Sequence, residues 1–127
     1  MKLDPDCIRD ILMDLEGKIQ DVGELVTYPK ESGLLGKYQR NVLSYHTRQC
    51  ILSGLLLTYR DDFDGQDSFH IKDLSPSAHE FLANIRSETT WSKTKEVAKK
   101  VGSSSLTVLL KIAAGVVTNL INTHLGS

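Results

Sequence analysis

Four histidines, two cysteines and a near balance of sixteen acids against fifteen lysines and arginines are the residues of this 127-residue chain that could do chemistry. Their spacing excludes most of it. His79-Glu80 opens like the helical HExxH zinc motif, but Ala83 stands where the second histidine must be. His46, His70, His79 and His124 share no metal-ligand spacing with one another or with Cys7 and Cys50, so hydrogen-bonded structural histidines are expected instead. Asp61, Asp62, Asp64 and Asp67 are grouped as in a calcium loop, yet the bidentate Glu at its twelfth position and the flanking helices are missing. Gly33 and Gly36 lack the GK[ST] of a phosphate loop. No Ser-His-Asp or Cys-His set can be assigned from spacing. The expectation is a protein with no metal, no cofactor and no catalytic residues, and so not an enzyme.

What remains is charge. The formal net charge of -1 conceals blocks: residues 1–24 sum to -4, residues 37–60 to +4, residues 61–80 to -5 and residues 81–127 to +4. Residues 37–60 contain Lys37, Arg40, Arg48 and Arg60 and no acid. An acid-free basic segment attracts an anionic partner locally even when the whole protein is neutral. The plainer reading is a set of ordinary solvated faces, since such blocks are common on protein surfaces.

The elements that must position these residues follow from period and punctuation. Asp4-Pro5 is an N-cap acid followed by proline at the first helical position, and Ile8, Ile11, Leu12, Leu15 and Ile19 continue one apolar face to about residue 20. Leu25 to Tyr28 can form a short strand, and Leu34-Leu35 between Gly33 and Gly36 a turn or a single helical turn. A second helix is predicted over about 39–53, stopped by Gly54, with Val42, Leu43, Cys50 and either Tyr45 or His46 inward. That leaves Arg40, Asn41, Ser44, Thr47 and Arg48 on its outer side. Leu55–Tyr59 and Ser68–Leu74 read as two strands joined by an Asp- and Gly-rich turn. Ser75-Pro76 starts a further helix through Ala78, Phe81, Leu82 and Ile85. A bend or break is expected between Ser87 and Ser92, and Gly102 ends the following segment. Ser103-Ser104-Ser105 caps a last helix over about 104–124.

Helix, short element, helix ending in Gly-Leu, hairpin, helix is the order of a winged helix-turn-helix. The expected fold class is therefore mainly α with a small β-hairpin: a winged helix-turn-helix core over 1–75 and a C-terminal helical extension over 76–127. In such a core the second helix of the motif enters the major groove and the wing lies beside the backbone. Lys37, Arg40, Asn41, Ser44, Thr47, Arg48 and Arg60 are then the candidate DNA contacts. Arg can take both acceptors of guanine and Asn those of adenine, while Ser and Thr serve either. One feature opposes this: the wing turn carries Asp61, Asp62, Asp64 and Asp67, and a duplex backbone rewards Lys and Arg. An acidic wing is either held away from DNA or belongs to a protein-binding surface.

Tyr45 to Leu56, YHTRQCILSGLL, resembles the recognition segment of many winged-helix regulators, with Cys50 standing where leucine is usual and Ile51 and Leu52 where polar residues are common. Three other stretches are narrower in their likeness: Met1 to Leu12 (MKLDPDCIRDIL), Asp73 to Arg86 (DLSPSAHEFLANIR) and Trp91 to Lys95 (WSKTK). Together they resemble domain of unknown function 2513, a family of phages, prophages and bacterial chromosomes with no established activity. The resemblance implies the fold and a phage-related setting rather than a mechanism.

The length suits one domain with a self-sufficient core. Cys7 and Cys50, far apart and outside any CxxC pair, read as buried thiols of a reducing cytoplasm. Residues 106–125 are interrupted by Lys111, Thr118, Asn119, Asn122 and Thr123, so they are expected to fall short of a membrane span. Their stripe of Leu106, Leu109, Leu110, Ala113, Val117, Leu120 and Ile121 is either core against helix 76–101 or a two-fold dimer interface. The expected function is that of a cytoplasmic DNA-binding transcriptional regulator acting as a homodimer on duplex DNA. The alternative is a phage accessory module that binds a host or phage protein without using DNA.

Overall fold

The computed structural model describes residues 1–59, 67–102 and 105–125. The chain is mainly helical with a small three-stranded antiparallel sheet. Its elements are α1 (Pro5–Lys18), β1 (Val26–Tyr28), α2 (Arg40–Leu52), β2 (Leu56–Thr58), β3 (Phe69–Leu74), α3 (Pro76–Ile85), α4 (Glu88–Val101) and α5 (Leu106–Leu125).

Local signals set the helix ends. Asp4 caps α1 by accepting from the Asp6 amide, and Ser75 and Ser87 do the same for α3 and α4 from the amides of Ala78 and Thr90. The expected break falls at Arg86–Ser87, one turn before Trp91, which is buried inside α4. At the end of α2 the Leu55 amide donates to the Cys50 carbonyl (2.8 Å) and the Gly54 amide to that of Ile51 (3.1 Å). Gly54 has φ +76°, a conformation glycine adopts without a Cβ penalty. This paired closure turns the chain sharply, so Leu55 is buried and β2 starts at Leu56.

The sheet order is β1-β3-β2. Val26 pairs with Ile71 and Tyr28 with Phe69, while Leu56 pairs with Leu74 and Thr58 with Ile71. Between Leu57 and Thr58 the register shifts, leaving Lys72 as an extra residue on β3. The bulge is why Lys72 and Asp73 are both exposed while Phe69, Ile71 and Leu74 all face the core. Most of the expected acidic turn, Asp61, Asp62 and Asp64, lies outside the described residues, as does Arg60; Asp67 is described and exposed.

A single hydrophobic cluster joins Ile8, Ile11 and Leu15 of α1 and Leu43 and Cys50 of α2 with the sheet's Phe69 and Ile71. It continues through Phe81, Leu82 and Ile85 of α3 and Trp91 of α4 to Leu106, Leu109 and Ala113 of α5. Both cysteines are buried and free. Burial, with Asp4 and Asp10 nearby, pushes the Cys7 thiol up to about 12, and burial raises Cys50 as well.

Two expectations for the last helix are corrected. Leu106, Leu109 and Ala113 are core residues of the same chain, because α5 packs along both α3 and α4 and its first turns are satisfied there. By length and composition α5 is also long and apolar enough to cross a membrane, with a mean hydropathy of 1.5 over an 18-residue stretch. Its alanines, valines, leucines and isoleucines outweigh its seven polar positions.

Candidate nucleic-acid interface

The acidic block of α1 is engaged inside the molecule. Asp10 accepts from Lys37 (2.8 Å) and from the Tyr38 hydroxyl (2.7 Å). Asp14 accepts from the Tyr28 hydroxyl (2.6 Å) and the Gly33 amide (3.3 Å), and pairs with Lys18 (3.2 Å). Burial and hydrogen bonding to the adjacent carboxylate raise both tyrosine hydroxyls well above their ordinary range. These bonds fold the 28–38 segment, rich in turns, back onto α1.

On the far side Asp6 accepts from the Trp91 indole (2.8 Å) and from Lys95 (3.0 Å), across more than eighty residues of chain. Burial works against the Asp6 carboxylate, but the hydrogen bonds from Lys95 and Trp91 outweigh it and hold its pKa below the usual value. Arg9 lies 5.6 Å from the Trp91 ring centroid and pairs with Glu88 (3.1 Å). Arg86 holds both oxygens of Glu16, at 3.1 and 2.9 Å, and that hydrogen bonding lowers the Glu16 pKa. His46 is buried and belongs to the same frame. The Asp4 amide donates to its Nε2 (2.8 Å), so Nδ1 carries the proton and donates to the Val42 carbonyl (2.8 Å). Of Tyr45 and His46, it is the histidine that points inward.

The candidate DNA contacts divide against that background. Arg40, Asn41 and Arg48 are exposed on α2, and neither arginine has an ion-pair partner among the described residues. Lys37 is exposed too, but it is tied to Asp10. Ser44 and Thr47 are corrected: both are buried. The Ser44 hydroxyl donates to the Asp67 carbonyl (2.6 Å), and that of Thr47 to the Leu43 carbonyl one turn back (2.7 Å). The cause is packing on two sides. With α1 against one flank and the entry to β3 against the other, the covered arc of α2 is wider than a single apolar stripe. Arg60 lies outside the described residues.

The surviving face is narrow. Arg40 and Arg48, eight residues apart, are separated by about 12 Å along the helix axis. Tyr45 and Gln49 are half-buried beside them, and Leu52, one turn beyond Arg48, is 61% exposed. α2 carries no acid, and no side chain caps its first turn, so the positive end of the helix dipole is uncompensated next to Arg40. Such a face can hold an anion by charge and by hydrogen bonding together.

A family model described as a hypothetical protein (DUF2513) matches residues 2–105. The chain belongs to that family. No curated protein and no solved structure matches it. Two of the stretches that read as family-like meet in space in this DUF2513 protein: Met1–Leu12 supplies Asp4, Asp6 and Arg9, and Trp91–Lys95 supplies both partners of Asp6. They build the frame, not the exposed arginine face. Among the described residues no group of three or more His, Cys, Asp or Glu is placed to hold a metal ion. The match stops one residue before α5. Of the stripe expected on α5, Leu110 and Val117 are half-buried and Leu120 and Ile121 exposed.

Proposed function

We propose that this DUF2513 protein is a winged-helix DNA-binding protein, acting on transcription in a phage or prophage setting, with α2 as the groove helix. The observation that carries the reading is a contrast between cations: Arg40 and Arg48 of α2 are exposed with no ion-pair partner among the described residues, while Lys37, Arg86 and Lys95 are engaged by acids of α1. The element order supports it, with a helix closing into a hairpin whose second strand is flanked by β1. Asn41, exposed beside Arg40, adds a group suited to adenine. The wing acids leave the reading with a contact surface centred on the helix.

Fluorescence anisotropy of a labelled random duplex at low and at physiological salt tests this. Binding that weakens steeply with salt, and that Arg40→Ala/Arg48→Ala removes, is expected. A duplex that does not bind at low salt would sink the proposal.

One observation favours the alternative, a protein-interaction module with a host or phage partner. Leu52 on α2, Leu57 on β2 and Tyr59 just after it are exposed apolar side chains, at 61%, 44% and 52%. A stoichiometric protein partner lost in Leu52→Asp, from a chain that ignores duplex DNA, would favour that reading.

A further inference from the structure

The last helix has the composition of a buried element and the exposure of a surface one. α5 runs for twenty residues, about 30 Å, and Lys111 is its single residue among Lys, Arg, Asp and Glu. Only 17% of its apolar stretch is buried. Leu120, Ile121 and Leu125 are exposed, the last at 81%. A helix this apolar is ordinarily covered by a protein core or by lipid. The core takes Leu106, Leu109 and Ala113 and leaves the rest.

α5 runs back along α4. Between them lies an open groove of about 570 Å³, with Ile112, Val116 and Leu120 on one wall and Lys93, Glu96 and Val97 on the other. The α4 wall is positive. Glu88 is held by Arg9 (3.1 Å) and Lys95 by Asp6 (3.0 Å), which leaves Lys93, Lys99 and Lys100, all exposed, against Glu96. Glu96 is shared between Lys100 (3.2 Å) and Lys93 (3.9 Å), so one acid serves three lysines.

Apolar side chains and net positive charge on one face select among partners. A two-fold copy of the same wall would set lysines against lysines. Duplex DNA would answer the lysines and leave Ile112, Val116 and Leu120 uncovered. An anionic bilayer answers both, because headgroups take the lysines while the acyl boundary beneath them takes the apolar side chains. Asn119, on the groove wall, then lies at headgroup depth, where water still reaches its amide. The Thr118 and Thr123 hydroxyls already donate to the carbonyls of Ala114 and Asn119 (2.9 Å each). Crossing the bilayer outright would pull Leu106, Leu109 and Ala113 from the core, so the helix lies along the surface.

We propose that the α4–α5 hairpin docks on an anionic lipid bilayer, with Ile112, Val116 and Leu120 at the acyl boundary and Lys93, Lys99 and Lys100 among the headgroups. This stands independently of the reading of α2. Co-sedimentation of the full chain with phosphatidylcholine vesicles, with and without phosphatidylglycerol, tests it. The wild type is expected to pellet with the mixed vesicles and to stay largely in solution with phosphatidylcholine alone. Lys99→Gln/Lys100→Gln, at two exposed positions, should weaken binding to the mixed vesicles about tenfold or more. Leu120→Asp should lose binding with unchanged helical circular dichroism; should it lose its helicity, the lysine pair carries the test. Arg40→Ala/Arg48→Ala should bind vesicles as the wild type does. A wild type that ignores the mixed vesicles, or a lysine pair that binds them as well as the wild type, would overturn the proposal. So would equal losses from the α2 and α4 pairs, which would mark unspecific attraction of cations to anionic lipid. A vesicle-blind wild type at twice 14.1 kDa in light scattering, returned to 14.1 kDa by Leu120→Asp, would assign the face to a second copy instead.

Discussion

α1 and α2 are helices of similar length, one acidic and one basic, and the structure treats their charges in opposite ways. On α1, Asp6, Asp10, Asp14 and Glu16 each hold a residue from elsewhere in the molecule. On α2, Arg40 and Arg48 hold none among the described residues. A block of like charge in a sequence therefore has two possible meanings. The acids of α1 position the frame; the arginines of α2 are exposed and hold no residue among the described ones. The contrast rests on what lies opposite each helix. α1 faces the 28–38 segment and α4, which bring Tyr28, Lys37, Tyr38, Trp91 and Lys95 to its carboxylates, whereas the outer side of α2 faces solvent.

Substitutions in the frame should unfold the protein and substitutions on the outer face should not. The largest effect is expected from Trp91→Ala, which empties a buried indole site between α1 and α3 and removes the partner of Asp6. Thermal or urea unfolding should show a loss of about 3–5 kcal/mol. A loss below about 1 kcal/mol would mean that the Asp6–Trp91 junction is not structural. Next comes Asp14→Ala, which takes away the carboxylate acceptor of the buried Tyr28 hydroxyl and should cost about 1–3 kcal/mol, more than Tyr28→Phe, which leaves Asp14 its lysine and solvent. The reverse order would show that Tyr28 matters through its ring alone.

A smaller effect is expected from acid. Asp6 and Glu16 have lower pKa values folded than unfolded, so their contribution is complete above the ordinary carboxylate range near pH 4 and is lost as pH falls through the depressed folded values. Both side chains are partly exposed, at 49% and 32%, and solvent screening keeps the contribution to roughly 1 kcal/mol or less. The melting temperature should fall between pH 6 and pH 3, and fall less in Asp6→Asn/Glu16→Gln; equal slopes would remove these two groups from the account. The smallest change in stability, within about 0.5 kcal/mol, is expected for Arg40→Ala/Arg48→Ala.

The sequence made the frame legible wherever the signal was local. Asp4-Pro5, Ser75-Pro76, Gly54-Leu55 and Gly102 mark their termini because a cap is satisfied within a few residues. The strand at residues 26–28 was readable by composition, but its place beside β3 depends on contacts more than forty residues away. Ser44 and Thr47 looked like contact residues because their side chains are polar and short. Their burial depends on two-sided packing that no helical period reveals, and local bonds to carbonyls make it tolerable. The stripe on α5 was visible as a stripe, but which half the core takes is set by the lengths of α3 and α4. Of the seven DNA candidates, Arg40, Asn41 and Arg48 are left as exposed, uncommitted side chains.

The central claim is that paired and unpaired cations of this protein differ in what they can bind. It is tested most directly by titrating one labelled duplex, across a salt series, with Arg40→Ala/Arg48→Ala and with Lys37→Ala/Arg86→Ala side by side. Each variant loses two positive charges. The account predicts that the α2 pair abolishes binding or lowers the salt dependence by about two phosphate contacts, while the Lys37/Arg86 pair leaves both near the wild-type values. Equal losses from the two variants, or no loss from the α2 pair, would contradict it.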